Sequence, residues 1–481
     1  MPWLPRAVAL LAVVALAALG AKILLAPGDT PRLAPGSGQA PGADSERVDP
    51  LAYTAAREGQ LVAAAARGLA HVIYAKSPGG ARASAERTAR YRPLVDAVAP
   101  TAGVDPDTLE AIVLLESAGR PDAVADSRLD GAVGLTQILA ETGRNLLGMR
   151  VDPPAARRIG RSIRRAQRRG DGALVARLQA RRRRVDERFD PPKAIAATGR
   201  YLLLARQALH REDLAVESYH MGIGNLQTAL RAYGGGVSYG RLYFDSTPVR
   251  HAAAWQALAR LGDDSATYLW RVMAAREVMR LYRSDPAQLD RISALQTAKN
   301  SAEEVLHPQG ATERFATPAD LRAAYDDGRI AALPREVLAK HGIAIDPQIG
   351  ELAGRLKRPR TLYRGLRPAA LALLVVLGAG VKEISGAEPL VLTSTVRDER
   401  YQRLLLSAGN GEATRNYSLH TTGWAFDILR RYRSRAQALA FEFMLGRLQS
   451  QDLIAWVREP AAIHVTVSSR AQALLGALND G

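Results

Sequence analysis

The spacing of apolar residues changes along this chain, and that change bounds the fold more tightly than any other feature. From residue 48 to about 283 the apolar side chains recur at helical spacing between Gly and Pro breaks, which predicts a helical domain. The stretch D-P-D-T-L-E-A-I-V-L-L-E-S-A-G (105–119) shows the pattern. Asp105 can cap a helix, Pro106 suits its first position, and Gly119 with Pro121 ends it, so Glu116 falls in the last turn. Beyond residue 368 an apolar helix (A-A-L-A-L-L-V-V-L-G-A-G-V) is followed by P-L-V-L-T-S-T-V, then Y-S-L-H-T-T-G-W-A-F-D-I, a helix over 436–448, and I-H-V-T-V. The period of two in those segments predicts strands, and their order an α+β unit. Residues 285–367, polar and mixed, read as a helical connector.

At the N-terminus, an apolar run follows Arg6 and reads as an export signal. Either it is cleaved near Ala18 and Gly20, or 7–26 remains as an anchor, being about long enough to cross a bilayer once. Residues 27–47 form a Pro/Gly-rich linker that cannot pack a core. The expected location is therefore periplasmic or otherwise extracytoplasmic, with the uncleaved form held in the inner membrane. The absence of cysteine excludes disulfides, thiolate zinc sites and cysteine nucleophiles.

The formal charge of +17 favours an acidic partner. Residues 150–188 hold fourteen arginines and four acidic residues. Sparse apolar positions ringed by charge predict a solvent-projecting helical hairpin. Such a hairpin could contact an anionic membrane surface or wall polymer, or be a solvated face. No aromatic residue is interleaved among the arginines, which argues against nucleic acid.

Three stretches of the helical domain belong together: L-L-E-S-A-G-R-P-D-A-V-A-D-S-R-L-D-G-A-V-G-L-T-Q-I (114–138), V-D-E-R-F-D-P-P-K-A-I (185–195) and S-Y-H-M-G-I-G-N (218–225). Here the chain resembles the lysozyme-like lytic transglycosylases of bacterial peptidoglycan. The resemblance implies a catalytic acid/base at Glu116, with Ser127 and Tyr219 supporting it. It also implies substrate contacts from Ser117, Gln137 and the backbone at Gly222, and no cofactor. In that chemistry one carboxyl protonates the leaving glycosidic oxygen and then, as base, takes the proton of the muramic acid C6 hydroxyl. Thr136 and His220 depart from the family pattern, where methionine and asparagine are usual.

The segment 417–428 carries Ser418, His420, Gly423, Ala425 and Asp427 in the order S-x-H-x-x-G-x-A-x-D. With T-S-T-V-R-D-E-R-Y-Q upstream and His464 downstream, it resembles the zinc D-alanyl-D-alanine carboxypeptidases and dipeptidases. The resemblance implies zinc ligands His420, Asp427 and His464, with Arg397 as a substrate-holding cation. Two imidazoles and a carboxylate leave a tetrahedral zinc one open position. The family's acidic base stands three residues before the second histidine, a place occupied here by Ala461; Glu459 is the nearest carboxylate. An active peptidase, a zinc or peptide binder and a metal-free fold all remain open.

The expectation is a multidomain chain: a mainly α lysozyme-like domain (48–284) with a basic helical insertion at 150–188, the connector, and a small α+β zinc-peptidase-like domain (368–481). Its substrate would be peptidoglycan. The alternatives are a cell-wall scaffold with silent centres and a hydrolytic lysozyme.

Overall fold

A computed structural model describes residues 49–125, 129–299, 301–409 and 417–478. The apolar N-terminal run, the Pro/Gly-rich linker and Ser127 lie outside them. The described chain is mostly helical, with a small mixed sheet towards the C-terminus.

Helix α1 (Glu58–Gly68) opens the helical lobe, and α2 (Pro106–Ser117) runs through its core. Asp105 caps α2 by accepting from the Asp107 N–H at 3.2 Å, and Pro106 follows it. Its middle is apolar apart from Thr108 and Glu110, and every side chain from Thr108 to Leu114 is buried. Each buried Leu, Ile or Val contributes about 1.5–3 kcal/mol. One acidic residue shares that burial: Glu110 accepts from Arg283 at 2.6 Å and from Arg92 at 3.3 Å, so its charge is paired. The helix stops where Ala118 and Gly119 turn left-handed (φ 53° and 72°). A Cβ on Gly119 would lie 2.6 Å from the Thr88 amide nitrogen, so the turn needs glycine there.

The basic segment forms a hairpin of α3 (Pro153–Arg168) and α4 (Gly172–Val185). Its neck is closed by a bridge between Val151 and Asp186 and by backbone bonds from Asp152 to Val185 (3.1 Å) and from Glu187 to Arg150 (2.9 Å). Arg158, Arg161, Arg164, Arg165, Arg168 and Arg169 are exposed on α3 and the turn, as expected. Two arginines are buried instead. Arg182 is buried, pairs with Asp122 and stacks 3.9 Å from the Phe189 ring centroid; Arg188 is fully buried beside Asp186.

After α5 (Pro191–Leu209), α6 (Glu212–Met221) and α7 (Ile223–Tyr233), helix α8 (Tyr268–Ser284) packs along α2, and α9 (Pro286–Thr297) packs on α8.

The second lobe begins earlier than the sequence predicted. Strands β1 (Ala331–Ala332), β2 (Ile343–Ile345) and β3 (Gly365–Leu366) all come from the connector. β1 pairs with β3, whereas β2 joins the main sheet, parallel to β4 (Leu390–Ser394). Residues 368–481 are thus not a self-contained unit. The short run I-A-I is too brief to stand out as a strand signal, and its pairing partner is remote in sequence.

Helix α10 (Pro368–Ser385) is followed, beyond β4, by β5 (Ala425–Leu429), α11 (Arg435–Ser450), β6 (Ile454–Arg458) and β7 (Ala462–Val467). Among the described residues the sheet order is β2-β4-β5-β7-β6. α10 is long and apolar enough to cross a membrane; here its Leu and Val side chains are buried with those of α11 against Phe426, Ile428, Ile463, Val465 and Val467. Alternation then turns Asp427 and His464 to the opposite face. The lobes meet where α1 packs on α11: Arg67 pairs with Asp452 at 2.7 Å, and Gln449 donates to the Gly68 carbonyl at 3.1 Å.

Candidate active sites

Glu116 is half-buried in the last turn of α2, and its Oε1 accepts the Tyr268 hydroxyl at 2.7 Å. Desolvation raises its pKa to about 7, outweighing the Tyr268 hydrogen bond and the Arg271 charge, which act the other way. Tyr268 is stacked between Tyr219 (centroids 6.1 Å apart) and His220 (5.4 Å). The carboxyl therefore lies against an aromatic wall from α6 and α8. Asp264 adds a small upward push on the Glu116 pKa, but its carboxylate is held by Arg271 at 2.5 Å.

The motif residues gather around this wall in roles that differ from those implied by resemblance. The Tyr219 hydroxyl donates to the Thr136 carbonyl at 2.7 Å and lies 3.2 Å from Thr198 Oγ1. Tyr268, which sequence reasoning missed, is the hydroxyl on the glutamate. Ser117 is buried, with its hydroxyl donated back to the Val113 carbonyl (3.2 Å) and accepting from the Arg120 N–H (3.2 Å), so it closes the helix end instead of facing a cleft. Gln137 adopts a left-handed φ of 51° and gives its amide N–H to the Gly134 carbonyl at 2.8 Å. Those donors shape the loop. Gly222 (φ 85°) joins α6 to α7.

The loop bearing Gly134 and Gln137 is fastened from behind by Arg188. Its guanidinium donates to the carbonyls of Leu129 (2.8 Å), Gly131 (3.0 Å) and Ile138 (3.2 Å) and to Asp186 (2.9 and 2.8 Å). Gly134 is obligatory beneath it, since a Cβ would sit 1.9 Å from the Arg188 carbonyl oxygen. R-F-D-P offered no local sign of this buried fork, because a charged arginine beside Glu187 reads as surface.

The second centre lies on the open face of the sheet. Asp427 on β5 and His464 on β7 are register partners, so their side chains meet. His464 Nδ1 is 2.8 Å from Asp427 Oδ1. His420 comes from the turn Leu419–Thr422, not from a strand, and its Nε2 is 3.2 Å from Asp427 Oδ2. The ligand atoms of the three residues lie within 4.8 Å of one another, all in buried side chains. Ligand atoms around a tetrahedral zinc at bonds of about 2.0–2.1 Å stand roughly 3.3 Å apart, so the cluster has the right scale.

The donor chemistry fits zinc as well. His420 gives its Nδ1 proton to the Thr395 carbonyl at 2.9 Å, which leaves the Nε2 lone pair facing the cluster. Burial and the Arg397 charge lower the His420 pKa to about 4, so the ring is neutral at physiological pH. Asp427 is held well below the usual carboxylate range by the two histidines, against the opposing pull of burial.

These residues line a cavity of about 610 Å³ together with Arg397, Glu459 and Glu303. Arg397 donates to Ser394 Oγ at 2.6 Å and Gln402 Oε1 at 3.0 Å, and lies 3.7 Å from Asp427. Glu459 follows the end of β6, in the turn before β7, with its N–H bonded to the Ala462 carbonyl at 3.0 Å. The turn frees it from strand alternation and brings it to the cavity wall. Glu303, from the connector, was not anticipated: one turn of helix carries it and no motif surrounds it.

No family model matches the sequence. Two curated relatives, each named an endo-type membrane-bound lytic murein transglycosylase A, come from Salmonella paratyphi B (strain ATCC BAA-1250 / SPB7) and Salmonella paratyphi A. Each is 34% identical to this chain over 84 residues, which is 17% of this chain and 40% of the relative. The chain thus spans less than half the length of the curated relatives it matches, and over that part it is similar to lytic murein transglycosylases.

Proposed function

We propose that this protein cleaves the β-1,4 bond between N-acetylmuramic acid and N-acetylglucosamine in peptidoglycan, as a lytic transglycosylase with Glu116 as its one acid and base. The observation that carries this reading is a half-buried carboxyl at the end of α2, raised to about 7 by desolvation and held by Tyr268. A carboxyl at that pKa is protonated often enough to act as acid and ionised often enough to act as base near neutrality. Glu116 gives its proton to the leaving oxygen as the C1–O bond breaks. The carboxylate left behind takes the C6 hydroxyl proton as O6 bonds to C1, restoring the acid and closing a 1,6-anhydro ring. Asp264 is occupied by Arg271, which favours this scheme over one with a second carboxylate. The partial similarity to lytic murein transglycosylases supports the same substrate, and with it an extracytoplasmic location. The exposed arginines of the α3–α4 hairpin suit contact with an anionic wall polymer or membrane surface.

Mass spectrometry of digested sacculi tests it. Anhydromuropeptides are expected from the wild type and none from Glu116→Gln. Hydrated reducing ends would instead identify a lysozyme-type hydrolase.

A second activity is favoured by one observation, the juxtaposition of His420, Asp427 and His464 on the floor of the 610 Å³ cavity. We read it as a zinc centre acting on peptide stems. His420, Asp427 and His464 would hold a zinc ion, which would supply Lewis acidity towards a peptide carbonyl. Arg397, braced by Ser394 and Gln402, orients the anionic end or carbonyl oxygen of the stem, and Glu459 at the cavity wall takes a proton from the water whose oxygen adds to the carbonyl carbon and delivers it to the amine as the C–N bond breaks. Stem cuts that vanish with chelator while anhydro ends persist would support both readings; stem cuts that survive chelation would reject the zinc one.

A further inference from the structure

The zinc reading leaves one buried carboxylate at the cavity without a task. Glu303 is 6% exposed and belongs to the connector, outside every motif of the second lobe. Lys299 fixes its Oε1 at 3.1 Å, and the same ammonium lies 3.3 Å from Glu304, bonds the Tyr417 carbonyl and sits 4.9 Å from the Tyr417 ring centroid. With Oε1 so held, Oε2 is turned to His464, 3.5 Å from Nε2.

An imidazole that gives one nitrogen to a metal keeps its remaining proton on the other. The two histidines of the centre expose different nitrogens: His420 points Nε2 at Asp427, whereas His464 points Nδ1. For His420 the choice is made by the Thr395 carbonyl, which accepts from Nδ1–H. For His464 to bind through Nδ1, its Nε2–H needs an acceptor in a buried setting. Among the described residues two oxygens are within reach, Glu303 Oε2 at 3.5 Å and Thr466 Oγ1 at 3.3 Å. The carboxylate is the stronger acceptor, and it is anchored from behind by Lys299, while the threonine hydroxyl is a neutral rotor.

We infer that Glu303 is the positioning residue of this centre: it accepts the Nε2–H of His464 and thereby presents Nδ1 to the metal, so that the connector orients a ligand of the second lobe. The inference rests on the zinc reading. A carboxylate behind a ligating histidine fixes ring orientation and raises ligand basicity, and its removal costs about 10–100-fold in metal affinity.

The full chain is tested with zinc alone, by competition against a chromophoric chelator. Wild type is expected to bind one zinc per chain, Glu303→Ala to bind it about 10–100-fold more weakly, and Glu303→Gln, whose amide oxygen can still accept, to stay within a few-fold of wild type. In nitrogen-15 spectra of the zinc-loaded wild type, His464 is expected to carry its proton on Nε2. Glu303→Ala binding zinc as tightly as wild type, or Glu303→Gln falling as far as Glu303→Ala, would overturn the inference. So would Thr466→Val reproducing the Glu303→Ala loss, since the threonine would then be the acceptor. Should Glu303→Ala fail to fold, Glu303→Gln, Thr466→Val and the wild-type spectrum still decide it. Wild type that takes up no zinc overturns the zinc reading itself, a result distinct from any difference among the variants.

Discussion

Tyr268 donates its hydroxyl to Glu116 Oε1 at 2.7 Å, joining the start of α8 to the end of α2. That bond stabilises the ionised carboxyl and opposes the desolvation that raises its pKa. In Tyr268→Phe the opposing influence is lost. The Glu116 pKa should rise further, and the alkaline limb of the pH–rate profile should move up by roughly one unit, the worth of a hydrogen bond to a charged group. Rates of anhydromuropeptide release between pH 5 and 9 check it, and an unmoved limb would mean that Tyr268 only fills space.

Glu116 also links stability to pH. Its folded pKa of about 7 stands above the ordinary 4.5, so the native state binds the extra proton between those values. The resulting stability is fully present below pH 4.5 and is lost as pH rises through 7. Glu116→Gln has no charge to bury and should exceed wild type at pH 8 by on the order of 2 kcal/mol, a figure discounted because the carboxyl is only half-buried. At pH 4 the gap should close. Urea midpoints of both proteins at the two pH values provide the comparison.

Arg188 and Asp186 are both fully buried and bonded to each other. Arg188→Met leaves a buried carboxylate and three loop carbonyls without their donor, and should destabilise the protein by about 3–5 kcal/mol. The double change Asp186→Asn with Arg188→Met removes the stranded charge and should recover part of that loss. Chemical denaturation of the two variants, with sacculus turnover alongside, separates the effect on stability from that on the loop.

A fragment cut at residue 368 lacks β2 and the core side chains Leu338, Ile343 and Ile349. It should melt without cooperativity, whereas a fragment of residues 299–481, which keeps Lys299 with Glu303, should melt cooperatively and gain about 2.7 kcal/mol with zinc at a hundredfold excess over Kd. Circular dichroism melts with and without zinc decide the matter. A cooperative short fragment would refute this assignment of β2.

The parts of the fold visible in the sequence are those encoded locally. The Asp105 cap and the apolar run of α2 put Glu116 in the last turn of that helix, and the period of two in A-F-D-I and I-H-V-T-V marked β5 and β7 as strands. What escaped is produced by packing. Tyr268 reaches Glu116 because α8 lies along α2, Arg188 meets three carbonyls because a loop folds over it, and Glu303 meets His464 because the connector crosses the sheet. None of these leaves a periodic trace. The motifs of the first centre were legible as a set, but the task of each hydroxyl was not, because one hydrogen bond more or less depends on where neighbouring helices settle.

The closed neck of the arginine hairpin, with Val151 bridged to Asp186 and Arg150 bonded to Glu187, separates two kinds of sequence freedom. Exposed residues beyond the neck can exchange charge without changing the path of the chain through Asp186 and Arg188, whereas Arg157 pairs with Asp130 and Arg182 stacks on Phe189. The charge carried by the hairpin and the setting of Glu116 can therefore vary independently, the first in a side branch and the second in the trunk from which it leaves.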